Sequence, residues 1–364
     1  MNLSARLPTW SIASPVAAWI VLALAWMGLG IQPSWALEVL VVAGLVAGIL
    51  AAVFHAEVVA HRVGEPYGTL VLALAVTAIE VALIVSLMIA GGESASGLAR
   101  DAVFASVMII LNGMVGLCLL SGGQRHGEQS FGLFGISAAL ATLAAISVLT
   151  LVLPNYTTTT PGPFYSASQL TFIAIVSLVL YGTFVMIQTV KHRDYFLPIE
   201  AASDEAVHAL PPSNSTAALS AVCLLACLVS VVLLAKTLSP SLEKAVADLG
   251  APKALVGIII AAVVLLPESI AAYQAARANR LQTSLNLALG SALASIGMTI
   301  PAVALVSIAN GWRLTLGIDT KSSVLLLLSL MVASLSLGTG RTTIMQGTVH
   351  LVIFAVYLFT AVVP

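Results

Sequence analysis

Apolar runs of about twenty residues recur down this chain between short polar breaks. A helix rising about 1.5 Å per residue needs that length to cross a hydrocarbon layer of roughly 30 Å, and this leaves few folds open. Lipid offers no partner to backbone N–H and C=O groups, so only helices and closed barrels satisfy them inside a bilayer. Barrel strands would alternate apolar and polar residues over about ten positions. The runs here are continuously apolar, which predicts helices. Only 8% of the 364 residues are charged and 60% are hydrophobic, so a soluble domain with about a quarter of its residues charged is excluded.

The expected spans lie near 12–29, 36–54, 68–90, 100–120, 132–153, 168–189, 216–236, 253–274, 284–309, 322–338 and 344–363. This is an all-α polytopic membrane protein of about eleven helices. Arg6 before the first run and Ser34-Trp35-Ala36 after it imitate a cleaved signal. That run is longer than the 7 to 15 apolar residues of a secretory core, so it is read as an anchoring helix.

Basic residues set the expected orientation. With the N-terminus inside, Arg6, Arg62, Arg125, Lys191, Arg193, Arg277, Arg280 and Arg341 fall in cytoplasmic turns. Arg100, Lys236, Lys244, Lys253, Arg313 and Lys321 fall on the other side, with the uncharged loop NYTTTTPGPFYSAS. Eleven spans then send the C-terminus to the face opposite the N-terminus.

The longest polar stretch, residues 191–215, reads as a cytoplasmic linker. Residues 1–35 hold the first helix, 36–190 a five-helix unit and 216–364 another. Five is odd, so a duplicated unit enters the membrane inverted the second time. Glu80 lies in the second span of the first unit and Glu268 in the second span of the second, each in almost uncharged surroundings: VTAIEVALIVSLM and AAVVLLPESIAAY. The following spans carry LNGM at 111–114 and SIGM at 295–298. Inverted repeats with a midplane site drawn from both halves are the plan of many secondary transporters. Gly44 with Gly48, Gly113 with Gly116 and Gly132 with Gly135 are expected to let helices approach closely.

A carboxylate inside a membrane costs a few kcal/mol or more and marks a pathway more often than a packing position. Burial favours its protonated form and a bound cation favours its charged form, so the two compete for the same oxygens. Two carboxylates neutralise one divalent ion or two protons. Ca²⁺ takes six to eight oxygens, more than two glutamates supply. Thr77, one turn before Glu80, and Asn112 in the next span are candidate ligands in the first half. Ser269, Ser291 and Ser295 are their counterparts in the second, and Pro267 frees a carbonyl one turn earlier. The alternative for each hydroxyl is a bond back to its own helix. For each glutamate it is a protonated carboxyl joining two helices.

At these residues the chain resembles the calcium/cation antiporter superfamily, and within it the ChaA-type calcium/sodium/potassium:proton antiporters. The likeness runs from about residue 60 to the end. It is carried by HRVGEPYGTLVLALAVTAIEVALIVSLM, by LLPESIAAYQAARANRLQTSLNLALGSALASIGMTIPAV, and by the ending GTGRTTIMQGTVHLVIFAVYLFTA. The resemblance implies that Glu80 and Glu268 are the motif glutamates, that Asn112 is the asparagine of the following helix, and that Gly290 and Ser291 match the second repeat. Where calcium-selective relatives carry Gly-Asn before each glutamate, this chain has Val76-Thr77 and Val264-Leu265, and Ala294 replaces a glutamine. Fewer amide oxygens point to a broader or monovalent cation preference. The implied activity is exchange of cytoplasmic Ca²⁺, Na⁺ or K⁺ for protons across a bacterial inner membrane, with no cofactor and a periplasmic C-terminus.

His350, two turns into the last span, is a possible proton relay, or a histidine bonded to a neighbouring helix. Glu57, with His55 and His61, marks a possible cation entry or a solvated interface. Cys118, Cys223 and Cys227 read as apolar packing residues. The acidic linker residues Asp194, Glu200, Asp204 and Glu205 read as a solvated connection. No Walker A, HExxH or GxSxG pattern is present, and a net charge of −1 gives no case for nucleic acid. The expected partners are inorganic cations, protons and the lipid bilayer. A passive cation channel is the second reading, a membrane enzyme or scaffold the third.

Overall fold

The structure is a computed structural model that describes residues 7–26, 35–64, 67–197, 211–250, 252 and 254–363. Helices α1 (Thr9–Trp26), α2 (Trp35–Val63) and α3 (Tyr67–Gly91) come first. Next, α4 (Leu98–Met108) runs into α5 (Val115–His126) through a π-helical segment, Ile109–Met114. Then follow α6 (Leu133–Ser147), α7 (Ala167–Met186), α8 (Asn214–Asp248), α9 (Ala254–Val264), α10 (Leu266–Arg277), α11 (Leu281–Asn310), α12 (Thr320–Leu337) and α13 (Ile344–Val362). Ten helical stretches are long and apolar enough to cross a membrane, and α9 with α10, bent by 55°, makes an eleventh if counted as one span. The protein is a multi-span membrane protein.

Two helices outrun their expected bounds. The span near 36–54 belongs to α2, which continues to Val63, and the span near 216–236 belongs to α8, which continues to Asp248. Hydropathy marks where apolar side chains stop, whereas a helix continues while its backbone bonds do. Ala, Glu, Lys and Leu in HAEVVAHRV and SLEKAVAD are mostly good helix formers outside lipid. A second addition is a short antiparallel ladder, β1 (Gln129–Ser130) with β2 (Arg341–Thr342), pairing Gln129 with Thr342.

The chain forms two compact units that cut across its sequence order. One draws on Met1–Ala90 and Ala206–Gly250, the other on Gly91–Glu205 and Ala251–Pro364. In the first, α1, α2 and α8 pack together. Gly44 and Gly48 present a smooth strip on α2: an added Cβ would meet Leu234 at 3.5 Å from Gly44 and Val231 at 3.0 Å from Gly48. His55 is not at a solvated entrance. It is fully buried, with Nε2 2.9 Å from the carbonyl of Ser11, and ties α2 to the start of α1.

In the second unit α11 is buried along much of its length and packs against α4, α5, α6, α7 and α10. Close approach through Gly113, Gly116 and Gly347 joins α5 and the π segment to α13. At one end His126 Nε2 lies 2.9 Å from the carbonyl of Arg277, and Asn286 Nδ2 donates to the carbonyl of Phe196 at 2.6 Å. Arg193–Phe196 form a 3₁₀ turn there, with Phe196 buried against Phe184, so the expected solvated linker begins as a docked segment. Glu200, Asp204 and Glu205 lie outside the described residues. At the other end Arg100 Nη1 donates to the carbonyl of Gly317 at 3.3 Å, and Lys321 Nζ to that of Thr360 at 2.7 Å.

Candidate functional site

The break between α9 and α10 follows from Val264-Leu265-Leu266-Pro267. Proline has no N–H and its ring clashes with the carbonyl four residues back, here that of Val263. The backbone turns at Leu265, whose N–H still reaches the carbonyl of Ala261 at 2.9 Å, and the helix restarts with Pro267 in its first turn. Glu268 sits in that same turn, half-buried. The partial positive charge of a helix N-terminus is therefore directed at the carboxylate, an arrangement worth about 0.3–1 kcal/mol at exposed sites.

Three elements of the second unit pack mutually around this turn: α10, α11 and the π segment. They bring Glu268 and Ser269, Ser291 and Ser295, and Asn112 onto neighbouring elements. Ser295 is fully buried and Ser291 half-buried. Ser269 Oγ donates to the carbonyl of Leu265 at 2.7 Å, the back-bond weighed as its alternative. Its oxygen still has acceptor capacity.

Asn112 and His350 come together. Asn112 Nδ2 donates to Ser329 Oγ at 2.8 Å, its Oδ1 lies 3.3 Å from His350 Nδ1, and His350 Nε2 lies 2.8 Å from Ser336 Oγ. Asn112, Ser329 and His350 are fully buried and Ser336 nearly so. His350 thus bonds to neighbouring helices. Ser329 and Ser336, which hydrogen-bond to this pair, were passed over in the sequence reading. Their signal was faint: seven residues apart on α12, they share one helix face, but Ser334 lies between them in the same stretch.

In the first unit α3 carries Thr77 and Glu80 one turn apart on one face, 4% and 6% exposed. Thr77 Oγ1 donates to the carbonyl of Ala73 at 2.8 Å, again a back-bond. Unlike the broken pair that carries Glu268, α3 is continuous. Glu57, on α2, is exposed. Cys118 and Cys227 are buried, Cys223 half-buried, and all three are free thiols. Among the described residues no three His, Cys, Asp or Glu side chains converge as a metal-binding cluster.

The pattern of the sodium/calcium exchanger protein family matches residues 33–190 and 219–363. The y4hA protein of Sinorhizobium fredii, whose name describes an ionic transporter not yet established as one, is 50% identical over 363 residues, covering 99% of this chain and 98% of that protein. The sodium-potassium/proton antiporter ChaA of Escherichia coli is 35% identical over 352 residues, covering 96% of this chain and 95% of its own. Among solved structures, native YfkE superposes with a TM-score of 0.70 at 18% identity, covering 98% of this chain and 99% of that one. The H⁺/Ca²⁺ exchanger CAX gives 0.70 at 16%, covering 96% and 88%. These two share the fold.

Proposed function

Because the chain belongs to the sodium/calcium exchanger protein family, we propose that it is a secondary antiporter exchanging cations for protons, with Glu80 and Glu268 as its shared proton and cation site. The observation that carries this reading is Glu268 itself. An ionisable group stands in the first turn after a 55° break within an apolar span, beside elements bearing Asn112, Ser291 and Ser295. Broken helices whose termini face an ion site are a device of secondary transporters.

The chemistry follows from competition. A carboxylate that leaves water is neutralised either by a proton or by a cation on the same oxygens. A site that opens to each face in turn, and cannot cross empty and ionised, exchanges one for the other. Thr77, Asn112, Ser269, Ser291 and Ser295 complete the oxygen set, with the carbonyl of Val263 that Pro267 leaves without its helical donor. The cation class is Na⁺ and K⁺, in keeping with the name of the Escherichia coli relative and with the absence of amide residues at Thr77, Leu265 and Ala294, and Ca²⁺ is the third candidate cation.

Orientation rests on the two ends of the second unit. Arg125, Lys191, Arg193, Arg277, Arg280 and Arg341 cluster toward one end, and Arg100, Arg313 and Lys321 toward the other. The basic-rich end faces the cytoplasm of an inner membrane, which supports a cytoplasmic N-terminus and a periplasmic C-terminus.

Proton flux in everted vesicles, after adding each cation in turn, tests the reading. Glu80→Gln and Glu268→Gln each abolish exchange while the protein still inserts. Exchange retained in both variants would remove the glutamates from the mechanism, and electrical conduction without proton counterflow would replace the antiporter with a channel.

A further inference from the structure

At one end of the second unit the ends of four helices enclose a cavity of about 230 Å³. Its rim is polar: Arg100 and Asp101 come from the start of α4, Asp319 and Lys321 from the start of α12, and Thr360 from the end of α13, while α9 enters at Ala254. One turn further in, the same four helices present Phe104, Ile258, Leu325 and Tyr357. A turn advances about 5.4 Å, so the lining changes from charged to largely apolar within that depth. The ends of membrane helices lie at headgroup level and the next turns lie beside acyl chains, so the cavity repeats in miniature the profile of the lipid–water boundary.

The rim leaves bonding capacity unused. Asp101 Oδ1 accepts from Arg100 Nε at 2.7 Å, and its second carboxylate oxygen remains. Lys321 Nζ gives one of its three protons to the carbonyl of Thr360 at 2.7 Å. Tyr357 is 4% exposed and packs edge-on against Phe104 with ring centroids 5.5 Å apart, and its hydroxyl takes part in no hydrogen bond among the described residues. Leaving a buried hydroxyl unpaired is costly, so this one points to a ligand. A bare cation in the cavity meets Arg100 and Lys321, a bare anion meets Asp101 and Asp319, and neither covers the apolar floor. A molecule with an ammonium, an anionic oxygen and an apolar end answers all three. We propose that the cavity binds a phospholipid by its phosphoethanolamine headgroup: the primary ammonium donates to Asp101, the phosphate accepts from Lys321 and Tyr357, and the start of the acyl chains covers Phe104, Ile258 and Leu325. None of these residues belongs to the oxygen set of the exchange site, so the inference does not depend on it.

The test titrates the purified full chain in lipid-free detergent with phosphatidylethanolamine, phosphatidylcholine and phosphatidylglycerol of identical acyl chains, and counts retained lipid by native mass spectrometry. Phosphatidylethanolamine is retained at about tenfold lower concentration than the other two, the scale of one hydrogen bond to a charged group. The quaternary ammonium of phosphatidylcholine has no N–H for Asp101, and phosphatidylglycerol has no cation. Tyr357→Phe removes only a hydroxyl that bonds nothing in the protein, so the melting temperature without lipid is not lowered, while retention of phosphatidylethanolamine weakens about tenfold. Asp101→Asn keeps an acceptor for Arg100 and removes the charge, and phosphatidylethanolamine loses its advantage over phosphatidylcholine. Soluble phosphoethanolamine competes only at roughly a hundredfold higher concentration or more, because it leaves the apolar floor uncovered.

Equal retention of the three lipids overturns the proposal, and so does a Tyr357→Phe variant that holds phosphatidylethanolamine as tightly as the parent. Stronger retention of phosphatidylglycerol than of phosphatidylethanolamine would make this an anion site and overturn the part given to the ammonium. Displacement by an equal concentration of soluble phosphoethanolamine would assign the cavity to the free headgroup and overturn the lipid as its occupant. If Asp101→Asn does not fold, Tyr357→Phe and the comparison of the three lipids decide.

Discussion

Gly347 on α13 and Gly182 on α7 look alike in sequence, each a glycine inside an apolar helix, and their surroundings separate them. A Cβ at Gly347 would run into the backbone of Leu120 and the carbonyl of Gly116, whereas nothing lies within 4 Å of one at Gly182. Gly347→Ala is expected to destabilise the protein by about 1–3 kcal/mol, the usual cost of overpacking. Gly182→Ala should leave stability unchanged or raise it by roughly 0.5–1 kcal/mol, because Ala suits a helix better than Gly. Thermal unfolding in detergent measures both, and equal effects would contradict the packing account. At this scale the polar residues proposed for the site were legible in the sequence and their contacts were not. Glu80, Asn112, Glu268 and His350 stand out because polar groups in apolar runs are costly. Ser329 and Ser336 did not stand out, because a lone serine in a membrane helix ordinarily bonds to its own backbone. Only the packing of α12 against the π segment shows that one of them also receives an amide.

The elements that matter most are two irregular ones, the α9–α10 break and the π segment that carries Asn112. The break at Leu265 was foreshadowed by Pro267, whose missing N–H removes one helical bond from the turn before it, although Pro15, Pro240 and Pro301 lie inside helices that continue. The π segment at Ile109–Met114 had no signature, because any residue can fill an i→i+5 turn once packing stabilises it. The same reasoning explains why α2 and α8 outran their apolar stretches. The break makes its own prediction. Pro267→Ala restores the bond to the carbonyl of Val263 and merges α9 with α10, withdrawing that carbonyl oxygen and the negative C-terminal end of α9 from the cation. Apparent cation affinity should fall on the order of tenfold, the upper range of a helix-terminus effect, while the protein inserts normally. Concentration-dependent proton flux reads this directly. An unchanged half-saturating concentration would mean that the bend contributes nothing to the ion site.

For the whole molecule, span number and membrane character were legible because the length of an apolar run is set by bilayer thickness. The grouping of helices was not, since the compact units interleave α8 with α1 to α3 by contact rather than by chain order. The central claim is that one site holds either a cation or protons, and it has a signature that needs no transport: adding cation must expel protons. Purified protein in detergent, titrated with Na⁺, K⁺ or Ca²⁺ in buffers of different ionisation enthalpy, gives the number of protons released per cation bound. The account predicts proton release on cation binding in the parent and its loss, together with cation binding, in the Glu80→Gln, Glu268→Gln double variant. Cation binding without proton release in the parent, or release that survives in the double variant, would contradict it.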